Sequence, residues 1–171
     1  MRHNIIFLDV DGVLNSLRTT RTFGNWTFVD DYLIERLKRI VDEAEALVVL
    51  TSTWNEGYWH DSYREEFLAL VNELLNHGIE VYGCTRYLHD RRIANRALDI
   101  CEWIDLNFDI IKNFVIIDDQ RMWYENNGPL ESKILYGNFY ENLVKTDPRI
   151  GLQEEDILLA ISILNSRPDS E

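Results

Sequence analysis

The stretch Ile5-Ile6-Phe7-Leu8-Asp9-Val10-Asp11-Gly12-Val13-Leu14-Asn15 decides how the chain is read. An apolar run of strand length delivers two aspartates, two positions apart, into a glycine-containing turn. Strand side chains alternate with a period of two, so Asp9 and Asp11 are expected to leave the strand end on the same side. Carboxylates held that close repel each other unless a cation or a shared proton intervenes. Such pairs gather where chemistry is done. An EF-hand loop also contains Asp-x-Asp, but it wants an oxygen-bearing side chain at its fifth position and glycine at its sixth. Here those positions hold Val13 and Leu14, and the preceding segment reads as strand rather than helix. A solvated turn is the plain alternative.

Working outward, the apolar runs recur. Ala46-Leu47-Val48-Val49-Leu50 and Phe114-Val115-Ile116-Ile117 are continuous, as buried parallel strands are, and they run into Thr51-Ser52 and Asp118-Asp119. Ile79-Glu80-Val81-Tyr82 and Leu143-Val144-Lys145 are further strand candidates. Between them lie amphipathic segments. One helix starts near Asp30, a plausible N-cap, with Leu33, Leu37, Ile40, Val41 and Ala44 on one face. Others span about 61–77, about 90–106 and about 153–165, and Gly78 stands where a helix C-terminal glycine belongs. Alternating strands and helices predict a three-layer α/β fold, a parallel sheet with helices on both faces. Ligands bind such sheets at the C-terminal strand ends, where Asp9, Thr51 and Asp118 converge.

The 171 residues suit one domain, taken as 1–166 with a polar tail at 167–171. A net charge of −13 argues against broad, non-specific nucleic-acid binding, whose affinity comes from Lys and Arg neutralising phosphates. It leaves room for a nucleic-acid end held in a small cationic pocket. No apolar run is long enough to span a membrane and no secretion-signal pattern opens the chain, so a cytoplasmic location is expected. Cys84 and Cys101 form neither a metal-binding pair nor a disulfide framework.

Asp9-Val10-Asp11-Gly12-Val13, Leu50-Thr51-Ser52 and Ile116-Ile117-Asp118-Asp119 resemble, in order and strand context, the first, second and fourth motifs of the haloacid dehalogenase-like hydrolase superfamily. Arg96-Ala97-Leu98-Asp99-Ile100-Cys101-Glu102-Trp103-Ile104 is similar to a pattern in the branch found in Swiss-army-knife RNA-repair proteins. Leu143–Pro148 and Gly151-Leu152 are similar to that branch's C-terminal segment. The resemblance implies a Rossmann-like sheet and a magnesium-dependent phosphatase. Asp9 would attack phosphorus and carry an aspartyl-phosphate, with Asp11 as general acid and base. Mg²⁺ would be held by the carboxylates of Asp9 and Asp118 and the backbone carbonyl of Asp11, with Asp119 a further ligand or an outer acceptor. Phosphate contacts would come from Thr51, Ser52, Arg96 and Val10, the choice between Thr51 and Ser52 staying open.

The resemblance also implies a third motif, a Lys or Arg that neutralises nucleophile and phosphate, and this motif-three cation is sought among Arg86, Arg91, Arg92, Arg96 and Lys112, with Arg96 first and Arg92 second. The intervals between motifs are too short for a folded cap, so an open site is expected. Phe23, Trp26, Phe28, Trp54, Tyr58 and Trp59 pack a loop or stack on a base, the former being the plainer reading. Trp123 and Tyr124 would border the site or pack a loop. His60, His77 and His89 lack metal-ligand spacing. The expected partner is a phosphorylated substrate, small or a nucleic-acid end. A non-catalytic magnesium-binding module and a phosphotransferase to an acceptor other than water are the alternatives.

Overall fold

A computed structural model of the protein describes residues 1–86, 96–120 and 141–166. In chain order these form β1 (His3–Leu8), a short hairpin of β2 (Thr22–Phe23) and β3 (Trp26–Thr27), α1 (Asp31–Ala44), β4 (Ala46–Leu50), α2 (Glu56–Trp59) and α3 (Arg64–Asn76). There follow β5 (Val81–Cys84), α4 (Arg96–Asn107), β6 (Ile111–Asp118), β7 (Leu143–Lys145) and α5 (Glu154–Asn165). Five strands make one parallel sheet in the order β5-β4-β1-β6-β7, with β1 at its centre. This is the Rossmann-like arrangement that alternating strands and helices predict.

Alternation along the strands sorts the core into two layers. Ile6, Leu8, Val48, Leu50, Val115 and Ile117 face one side, where Leu33, Ile34, Leu37 and Ile40 of α1, Leu70 and Leu74 of α3 and Ile157, Ala160 and Leu164 of α5 cover them. Ile5, Phe7, Val49 and Ile116 face the other, under Ala97, Ile100, Cys101 and Ile104 of α4. β1 is therefore apolar on both faces, which is why its sequence does not alternate. Each such side chain contributes about 1.5–3 kcal/mol by leaving water.

The helix ends show local chemistry at work. Asp30 occupies the N-cap of α1, and its backbone carbonyl accepts from Leu33 and Ile34. Its carboxylate does not cap; it accepts instead from the Thr19 hydroxyl at 2.5 Å. At the far end of α3, Gly78 adopts φ +74°, Gly78 N–H donates to Leu75 O, and Ile79 N–H donates to Leu74 O. That is a Schellman motif, with buried Ile79 and Leu74 as its apolar contact. Ile79 thus belongs to the helix stop, and β5 begins two residues later than the apolar run suggests. The expected helix at 61–77 is likewise shorter. His60 is extended, so the chain makes a separate short α2, then a 3-10 turn at Asp61–Tyr63, before α3.

The segment after β1, which shows no periodicity in the sequence, contains a short hairpin in which β2 and β3 pair through Thr22↔Thr27 and Phe23↔Trp26. Arg21 anchors this hairpin through ion pairs to Asp31 of α1 (2.6 Å) and Glu73 of α3 (2.7 Å). Among the described residues, the hairpin and α1 fill the interval from β1 to β4, and α2, α3 and β5 the one from β4 to α4. No described helix is long and apolar enough to cross a membrane. The start of the helix expected at 90–106 and the tail at 167–171 lie outside the described residues.

Candidate active site

Parallel pairing carries on one residue past β1, β4, β5 and β7. Asp9 N–H donates to Ile117 O (2.9 Å), Thr51 N–H to Leu8 O (2.8 Å), Thr85 N–H to Leu50 O (2.9 Å) and Thr146 N–H to Asp118 O (3.0 Å). The sheet's hydrogen bonding thereby fixes the backbones of Asp9, Thr51 and Asp118 side by side at its C-terminal edge. Asp9 continues the row of Ile5 and Phe7, Thr51 that of Val49, and Asp118 that of Ile116, all on the side covered by α4. Arg96, at the start of described α4, meets them there. One nitrogen, Nη1, lies 2.8 Å from Asp9 Oδ2 and 2.5 Å from Asp118 Oδ2.

Burial dominates the electrostatics. It pushes the Asp9 carboxyl up to about 7; Arg96 opposes the shift and Asp118 adds to it. The Val10 amide and the Ser52 hydroxyl also favour the charged form. Even so, among the described residues no donor meets Asp9 Oδ1 in hydrogen-bond geometry. Burial works against the Arg96 charge, yet Asp9 and Asp118 outweigh it and hold its pKa above the ordinary arginine value. Asp118 Oδ1 accepts from Gln120 N–H at 2.8 Å. Asp119 is raised, by burial first and then by Asp118.

Ligand oxygens of Asp9, Asp118 and Asp119 lie within 4.8 Å of one another. A buried carboxylate oxygen without a donor, inside an all-oxygen cluster, suits a hard divalent cation. Gly12 makes this crowding possible. It adopts φ +76°, and a Cβ there would stand 2.7 Å from Asp119 Oδ2. Its N–H donates to Asn15 Oδ1 (2.9 Å) and its carbonyl accepts from Thr146 (2.8 Å).

Asp11 is placed by the turn, not by strand alternation. The strand ends at Leu8, and Val13 and Leu14 N–H groups close a turn on Val10 O. The exposed Asp11 carboxylate then accepts from Asn15 Nδ2 at 2.8 Å and from the Trp54 indole at 3.3 Å. Its side chain is not one of the three clustered carboxylates, but its charge is felt at Asp119. Sequence reading gave Asn15 no role and took Trp54 only as a packing or base-stacking ring, so both contacts to Asp11 were missed. The spacing of the two residues is a signal: one lies four residues after Asp11 and the other three after Thr51.

Thr51 is buried and its hydroxyl finds no partner among the described residues. Ser52 sits at the N-cap of a 3-10 turn, Thr53–Asn55, and its hydroxyl accepts from Trp54 N–H. Of the other cations considered for motif three, Arg86 is exposed beyond edge strand β5. Lys112 lies six residues before Asp118 on β6, roughly 20 Å away at about 3.3 Å per residue. Arg91, Arg92, His89, Trp123 and Tyr124 lie outside the described residues. Trp54 and Phe28 are buried, whereas Tyr58 and Trp59 are exposed. His77 C-caps α3, and His60 is exposed between α2 and α3.

A family model described as a haloacid dehalogenase (HAD) domain in Swiss Army Knife RNA repair proteins matches residues 5–157. That span runs from β1 into α5. No curated protein matches the chain.

Proposed function

The chain belongs to the family described as the HAD domain in Swiss Army Knife RNA repair proteins, a membership that points to a phosphatase-type hydrolase, and we propose that it hydrolyses phosphomonoesters through an aspartyl-phosphate on Asp9. The observation that carries this reading is the Asp9 carboxylate. It is buried at the end of the central strand, with one oxygen against Arg96 and the other without a donor among the described residues. An ionised carboxylate so placed is a competent nucleophile once the proton favoured by burial has left.

An oxygen of Asp9 attacks phosphorus while the P–O ester bond breaks, and the leaving oxygen takes a proton from Asp11. Water then attacks the same phosphorus, its proton returns to Asp11, and inorganic phosphate leaves with Asp9 restored. Arg96 offsets the negative charge that Asp9 and Asp118 bring to a phosphate. Thr51, whose hydroxyl is unpaired among the described residues, and the backbone at Val10 and Ser52 supply donors for phosphoryl oxygens. Mg²⁺ is the proposed ion, held by Asp9, Asp118 and Asp119 with the Asp11 backbone carbonyl. When bound it supplies the positive charge that lets an anionic nucleophile meet a phosphate dianion. The family description and the absence of a cap among the described residues favour a nucleotide or a nucleic-acid terminal phosphate as substrate.

The test is phosphate release in Mg²⁺ over nucleotides, 5′- and 3′-phosphorylated oligonucleotides, sugar phosphates and phosphopeptides. Release that disappears in Asp9→Asn supports the mechanism, and the preferred member gives the class. Magnesium binding with no release from any of them removes it in favour of a binding module.

A further inference from the structure

Two side chains, neither assigned by family or motif, hold Asp11 by its two carboxylate oxygens. Asn15 Nδ2 donates to Asp11 Oδ1 and also to Thr27 O of the hairpin at 3.1 Å. Trp54 Nε1 donates to Asp11 Oδ2. The Trp54 ring is itself packed edge-on against Trp26 of the same hairpin, centroids 4.6 Å apart, and Trp26 meets Tyr63 at 5.7 Å. The Asp11 carboxylate thus lies in a closed circuit running Asp11–Asn15–Thr27–Trp26–Trp54 and back. A carboxylate in an exposed turn would otherwise sample several rotamers, and each donor removes some of that freedom. Each oxygen keeps a second lone pair for a proton.

We propose that Trp54 and Asn15 are positioning residues that fix Asp11 for proton transfer, and that the β2–β3 hairpin sets their geometry. This rests on the phosphatase reading above. Burying Trp54 for packing alone would explain its ring, but not the direction of its N–H.

Trp54→Phe keeps an aromatic ring against Trp26 and deletes the donor. Its kcat/KM, which reports only the steps up to departure of the leaving group and not the later hydrolysis of the aspartyl-phosphate, should fall about tenfold on an alkyl phosphate such as glycerol 2-phosphate, the size of one hydrogen bond to a charged group. On p-nitrophenyl phosphate, whose leaving group needs little protonation, the loss should be under about twofold. In an Asp11→Asn background the same change should cost nothing further. Equal losses on both substrates, or a full loss on top of Asp11→Asn, would mean a packing role and overturn the proposal.

A second measurement needs no turnover. The Trp54 indole N–H resonance, assigned by its loss in Trp54→Phe, should move in Asp11→Asn while the indole signals of Trp59 and Trp103 stay. An unmoved resonance overturns the proposal even if activity is present. A wild-type protein that releases no phosphate removes the phosphatase reading, and the catalytic role of Trp54 falls with it even where the indole shift shows the contact.

Discussion

Arg96 reaches Asp9 at 2.8 Å where both side chains are largely shielded from water, and the same guanidinium nitrogen serves Asp118. One cation thus holds together two carboxylates from neighbouring strands. Removing one partner of a buried ion pair typically costs about 3–5 kcal/mol, because the remaining charge stays buried. Metal-free Arg96→Ala should therefore unfold at markedly lower urea than wild type, with Arg96→Lys between them and Mg²⁺ restoring part of the loss. A midpoint unchanged in Arg96→Ala would show that the pair does not hold the site together.

The raised Asp9 pKa fixes a sign. Between its ordinary value of 3.8 and its folded value of about 7, the native state keeps a proton that the unfolded chain has released. Asp9 therefore contributes stability fully below 3.8, and that contribution is lost as pH rises through about 7. The slope is at most about 1.4 kcal/mol per pH unit. In EDTA, urea unfolding from pH 5 to 8 should show wild type declining more steeply than Asp9→Asn. Parallel curves would contradict the assignment.

What could be read in the residues follows from periodicity. Continuous apolar runs at β1, β4 and β6 announce strands buried on both faces, and parity then sends Asp9, Thr51 and Asp118 to one side. Arg96 could be picked from its local pattern. What lay beyond periodicity is set by non-local contacts. The Ile79 side chain closes a helix instead of opening a strand, and the Asp30 carboxylate is claimed by Thr19, not by its own helix. Asp11 seemed to follow Asp9 by strand alternation, but its position depends on a turn and on an indole 43 residues away.

Gly12 offers a test of crowding. Its left-handed φ disfavours any side chain, by about 1–2 kcal/mol. A methyl group would also press into the Asp119 carboxylate. Gly12→Ala should lower stability by at least that amount and weaken Mg²⁺ binding, measured by calorimetry, more than Gly24→Ala at the hairpin tip. Equal metal affinity in both variants would detach Asp119 from the ion site.

Cys84, at the end of β5, has its thiol pushed up to about 12 by burial. The thiolate is the reactive form, so folded Cys84 should be slow towards iodoacetamide at pH 8 and fast once unfolded. Cys101 is buried under the sheet and should behave alike. Rapid alkylation of either in the native protein, located by peptide mass, would place it in a more open setting than the fold gives it.

Thr51 and Ser52 separate by what their hydroxyls already do. Ser52 caps a turn, so Ser52→Ala should cost about 1 kcal/mol even without substrate. The buried Thr51 hydroxyl has no partner among the described residues, and leaving such a group unsatisfied costs about 1–3 kcal/mol. Thr51→Val, which keeps the shape, should therefore leave the substrate-free protein as stable as wild type or more so. On the proposed mechanism it should also weaken phosphate binding about tenfold or more, read as a rise in the inhibition constant of inorganic phosphate. A Thr51→Val protein that is destabilised and still binds phosphate normally would make the hydroxyl structural. It would then leave Ser52 and the backbone amides as the donors of motif two.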